Sequence, residues 1–107
     1  MNSVSNIATI RTRGTLALDT AERTLHRDGV RVPLTTAMYR LLEALVLMDG
    51  ADLPTDVAYA KALGHPSSGP EDKCLAVLAC WLRRRVPDVE IRAVRGVGYC
   101  VAPWGWV

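Results

Sequence analysis

Several residue types are scarce in this 107-residue chain, and each scarcity excludes something. Cys74, Cys80 and Cys100 are an odd number with no C-x-x-C pair. A disulfide framework is therefore not expected, and a reducing cytoplasm is the natural setting. His26 and His65 stand at no ligand spacing from the cysteines. Cys74 and Cys80, six apart on one helix, point in different directions. No metal site is expected. No serine, histidine and acid arrangement suggests nucleophilic catalysis, and no glycine placement forms a phosphate loop. The chain is thus read as no enzyme, and no cofactor is implied. The apolar stretches are far too short to cross a bilayer, so no membrane partner is expected. MNSVSNIATIRTRG lacks the apolar run of a signal peptide. Internal repeats and low-complexity segments are also missing.

What is present is a core. Half the residues are hydrophobic, enough for one domain of this length. The net charge of +2 is weakly basic and by itself names no partner. Its distribution says more. Lys73, Arg83, Arg84, Arg85, Arg92 and Arg95 face only Asp88 and Glu90 between positions 73 and 99. Arginine outnumbers lysine eleven to two. Arginine suits phosphate contact, although a coding bias yields the same ratio.

The pattern along the chain gives the element order. Residues 1–13 read as a polar lead-in, 14–102 as the domain, and 103–107 as a tail rich in tryptophan. TLALD alternates like a half-buried strand, and RTLHR is a weaker second one. Asp28-Gly29 is a hairpin turn before VRVPL, with Pro33 at an edge or strand end. Thr35, with Thr36 as a second candidate, caps a first helix. Leu41, Leu42, Leu45, Val46 and Met48 recur along it at helical spacing, and Gly50 ends it. Pro54 opens a second, shorter helix with an apolar stripe of Val57, Ala58, Ala60, Ala62 and Leu63, closed by Gly64. HPSSGP is a loop. Glu71 and Asp72 open a third helix that runs through CLAVLACWLRRRV and stops before Pro87. Its arginines fall in the last turn, where the helix dipole favours cations. VEIRAV, RGVG and YCVAP then make a hairpin, with Gly96 and Gly98 expected to supply positive φ. The fold class is α+β: an N-terminal antiparallel sheet, three helices and a C-terminal β-hairpin. A helix-turn-helix followed by a wing has this layout.

Four segments carry a resemblance. VRGVGYCV looks like a VRGxGYxF wing, and LTTAMYRLLEALV like an LTPxEFxLLxxL first helix. LPTDVAYAKALG occupies the place of a serine-capped second helix ending in Trp-Gly. EDKCLAVLACWLRRRV occupies that of a DRTVDVHIxRLRKK recognition helix. The chain thus resembles the OmpR/PhoB-type effector domain of two-component response regulators across residues 14–102. The resemblance implies a winged-helix regulator of transcription that binds double-stranded DNA. The phosphorylatable receiver domain of such regulators has no room here, so the chain is either an excised fragment or a stand-alone domain, and the natural-looking start MNSVSN favours the second. The same resemblance places Lys73, Arg83 and Arg84 on basic positions of the recognition helix. It places Arg95 on the wing, where an arginine enters the minor groove. The loop from His65 to Pro70 lies where such domains touch RNA polymerase, but its low charge suits a plain connector.

One departure divides the reading. Leu75, Leu78, Ala79, Leu82 and Val86 fit a core-facing stripe, which leaves Lys73, Val77, Cys80, Trp81 and Arg84 outward. Cys80 and Trp81 replace the arginines of the recognition-helix pattern, and Leu78 replaces its histidine. Either Trp81 folds over the core edge and DNA binding persists, or this face is a protein contact. In the second case Val77, Cys80, Trp81, Trp104 and Trp106 are the candidate contacts for a homodimer or a transcription-machinery protein. Packing back onto the domain is the simpler expectation for the WGWV tail.

Overall fold

The computed structural model describes residues 10–69, 72–102 and 105–107. These form seven strands and three helices. Strands β1 (Ile10–Arg13), β2 (Leu16–Asp19), β3 (Thr24–Arg27) and β4 (Val30–Val32) make an antiparallel meander in chain order. Ordered structure therefore begins inside the stretch read as a lead-in, at Ile10. Asp28 and Gly29 both adopt positive φ, 53° and 78°, so the β3–β4 hairpin closes on a two-residue turn. Pro33 follows the edge strand β4, where its missing N–H breaks no ladder.

Helix α1 (Thr36–Leu47) follows this sheet. Thr35 caps it, its hydroxyl accepting the Met38 N–H at 3.2 Å. Asp49 and Gly50 turn the chain out at positive φ. Leu41, Leu42 and Leu45 are wholly buried and meet Leu18 and Leu25 of the sheet in one core.

Helices α2 (Thr55–Leu63) and α3 (Cys74–Arg85) pack on α1. The stripe read on α2 needs correction. Val57 and Ala60 are exposed, while Ala58, Tyr59 and Ala62 are buried. Nine residues hold too few apolar positions to fix a phase, and the large Tyr59 ring decides it. Helix α3 starts at Cys74, just after the acidic pair expected to open it; Glu71 lies outside the described residues.

The last sheet has the order β5-β7-β6, with β5 at Leu53–Pro54, β6 at Glu90–Val94 and β7 at Gly98–Ala102. Strand β5 was not anticipated. It adds a short third strand to the hairpin by pairing Leu53 with Tyr99 and Pro54 with Gly98. Beyond β7 the tail returns to the first sheet. Thr12 and Val107 exchange both backbone hydrogen bonds, at 2.6 and 3.0 Å, which covers the outer edge of β1.

Candidate nucleic-acid interface

The surface of interest is built from the α2–α3 connection, the outer face of α3, and the β6–β7 hairpin. The start of α3 is held by Asp72. Its carboxylate accepts hydrogen bonds from the Tyr59 hydroxyl, from the Ser68 N–H and hydroxyl, and from the Cys74 N–H. These donors, the phenol first, hold the Asp72 carboxyl well below the usual carboxylate range. The Tyr59 ring meets His65 edge to face, with centroids 5.6 Å apart. The connector is thus tied down at both ends of its described part.

The end of α3 is tied as well. The Arg83 Nε–H donates to the Ile91 carbonyl at 2.8 Å, which fastens the helix to β6. Arg85 reaches the Pro33 carbonyl at 2.6 Å. Arg27 at the end of β3 forms a two-bond ion pair with Asp88 in the turn between α3 and β6. The pair lowers the Asp88 pKa and raises that of Arg27. Of the three terminal arginines, two therefore brace the fold. Arg84 is exposed, and no described residue holds it.

The inward stripe of α3 is as expected from its spacing. Leu75, Ala79, Leu82 and Val86 are buried, and Leu78 is half-buried against the core. Lys73, Val77, Cys80, Trp81 and Arg84 are all exposed. Trp81 does not fold over the core edge; 58% of its surface is open, beside 50% of Val77. With Met38, Leu63, Lys73, Cys74 and Leu78 the two line an apolar groove of about 410 Å³ between α3 and the start of α1.

The wing is held by backbone geometry. Gly96 sits at φ +75° in its turn. Gly98 has a different role from the one its spacing suggested. A Cβ there would lie 1.9 Å from the Leu53 carbonyl oxygen, so glycine is needed for close approach of β5, not for positive φ. The Val97 carbonyl accepts the Thr55 N–H at 3.0 Å and the Thr55 hydroxyl at 3.3 Å, which ties the turn to the start of α2. Arg92 is spent on Glu90, with a closest contact of 3.0 Å. Arg95 projects from the tip, exposed and held by no described residue.

Two tail residues were candidate contacts. Trp106 is buried, 5% exposed, within the core, so it offers no surface to a partner. Gly105 donates to Asp49 at 2.8 Å and helps bring the tail back. Trp104 lies outside the described residues. Thr55, Tyr59 and Asp72 position the interface without having stood out in the sequence. Their one visible signal was an acid and a threonine at helix starts. The three cysteines are free, and the described residues contain no cluster of His, Cys, Asp and Glu fit for a metal ion. Nor is any described helix long and apolar enough to cross a membrane.

The chain matches no protein-family profile and no curated protein. Its fold does match solved structures. It is 27% identical to the RstA DNA-binding domain of Klebsiella pneumoniae, solved in complex with the RstA box. That match covers 88% of this chain and 97% of that one, with a TM-score of 0.76. The DNA-binding domain of CpxR from E. coli is 24% identical over 85% of this chain and 93% of its own, with a TM-score of 0.77. DrrB of Thermotoga maritima, an OmpR/PhoB homolog, is 19% identical over 86% of this chain and 43% of its own, with a TM-score of 0.72. The architecture is that of the OmpR/PhoB-type winged-helix DNA-binding domains.

Proposed function

We propose that this chain is a regulator of transcription that binds double-stranded DNA. Helix α3 enters the major groove, and the β6–β7 wing reaches the adjacent minor groove. The observation that carries this reading is the bond from Arg83 to the Ile91 carbonyl. It joins α3, with Arg84, to the wing, with Arg95, the two arginines that no described residue holds. The similarity to the RstA domain, which is itself seen with its DNA, supports the same reading. Lys73 and Arg84 serve phosphates at the two ends of α3. Arg83 acts as a brace with its Nε committed inward, and Arg95 enters the minor groove, whose negative potential attracts a guanidinium. Arg95→Ala weakens duplex binding and flattens the plot of log affinity against log salt by about one unit of slope. Unchanged affinity and slope would remove the wing from the mechanism.

The open Trp81, which does not fold over the core edge as the DNA-binding alternative expected, and the apolar groove beside it favour a second reading, in which the face meets another copy of this chain and DNA binding is lost. That reading requires a dimer in light scattering that Trp81→Arg dissolves, with no salt-sensitive duplex binding.

A further inference from the structure

The outer face of α3 has a composition that selects among DNA sequences. Among its exposed residues, Lys73, Val77, Cys80, Trp81 and Arg84 line one strip. The cations stand at the two ends, and the middle holds an aliphatic, a thiol and an indole. Valine has no hydrogen-bonding group, and a thiol is a weak one. The base edges of the major groove carry strong donors and acceptors at every pair, and one apolar group, the C5 methyl of thymine. Pressing Val77 against a guanine or cytosine edge strips water from polar atoms and returns no partner, and Trp81 returns only its single indole N–H. Pressing them against a thymine methyl buries apolar surface on both sides.

The basic ends decide what kind of molecule lies on this strip. A second copy packed helix against helix sets Lys73 and Arg84 against each other, or each against itself. Both arrangements repel. A polyanion with an apolar inner surface fits both the ends and the middle, and a thymine-bearing major groove is such a surface.

We propose, resting on the DNA-binding reading above, that this helix reads thymine methyl groups through Val77 and Trp81. Sequence choice then depends on where methyls lie, in place of guanine–arginine hydrogen bonds. Four helical residues span about 6 Å, close to two base-pair rises of about 3.4 Å. The two side chains therefore reach methyls roughly two steps apart, and the open Cys80 beside them adds no competing polar demand.

The test begins with duplexes recovered from a random-sequence pool by the wild-type protein. Each is compared with its copy in which deoxyuridine replaces thymidine, which keeps the pairing and removes only the methyl. Affinity falls about fourfold per contacted methyl, and about fifteenfold for two. In Val77→Ala and Trp81→Ala the uridine penalty shrinks, while the melting temperature stays near wild type because both side chains are exposed. Tight binding with no uridine penalty, or a penalty that persists undiminished in both variants, overturns the methyl reading and leaves DNA binding standing. Failure to recover any duplex overturns the DNA reading itself, and this one with it.

Discussion

The two faces of α3 are nearly alike in sequence and opposite in fate. One holds Leu75, Ala79, Leu82 and Val86 and is fully covered by the core. The other holds Val77, Cys80 and Trp81 and stands exposed. A helix apolar on both sides is ordinarily buried on both. Here α1 and α2 supply a wall behind, while the wing and the Asp72 junction fasten the two ends. The helix is thus anchored without its outer side, and that side remains for a ligand. Apolar character alone does not distinguish stability from recognition; cover does.

Adjacent residues allow this contrast to be broken directly. Leu82 is wholly buried, and Leu82→Ala is expected to cost about 2–5 kcal/mol in denaturant unfolding, since it removes transfer energy and leaves a cavity. A loss below about 1 kcal/mol would mean that the inner face is not the one holding the domain together.

Gly98→Ala comes next, because its Cβ meets the Leu53 carbonyl and β5 must move. A loss of about 1–3 kcal/mol is expected, with faster amide exchange concentrated at Tyr99, across from Leu53. Unaltered exchange there would show that the wing stands without its third strand.

Acid probes the junction at the start of α3. Asp72 has a depressed folded pKa, so its contribution is complete above the unfolded carboxylate pKa of about 3.9. It is lost as pH falls through the lower folded value. The melting temperature should hold between neutral pH and about 5, then drop below about 4. Asp72→Asn should start lower and show a shallower drop. An equal acid drop in both proteins would place the sensitivity elsewhere, with Asp88 and its Arg27 partner the next candidate.

The smallest expected effect sharpens the comparison most. Trp81→Ala, one position from Leu82 but exposed, should change stability by no more than about 0.5 kcal/mol. A loss as large as that of Leu82→Ala would show that the indole is structural after all.

Much of this was legible in the chain. Period-two strands, the Asp28-Gly29 turn and the Thr35 cap are local signals, and local signals were enough for β2 to β4 and the start of α1. The outward set on α3 followed from helical spacing alone. The misses share a cause. Strand β5 is two residues long and exists because Gly98, far along the chain, lets Leu53 approach. Tyr59 is buried in the core with its hydroxyl on Asp72 and its ring against His65 across the connector. Trp106 is buried because Val107 pairs with Thr12 at the other end of the sequence. Each depends on a contact between distant segments, which periodicity does not register. Arg83 is similar: its type marks it as a phosphate ligand, while its position beside β6 makes it a brace.

The central claim is that the open face of α3 and the wing together engage duplex DNA. Its most direct test is wild-type binding to mixed genomic duplex fragments at roughly 50 and 200 mM salt, with light scattering on the same samples. The account predicts binding that falls steeply between the two salt concentrations, by a monomer in the absence of DNA. A stable dimer with no salt-sensitive binding would contradict it.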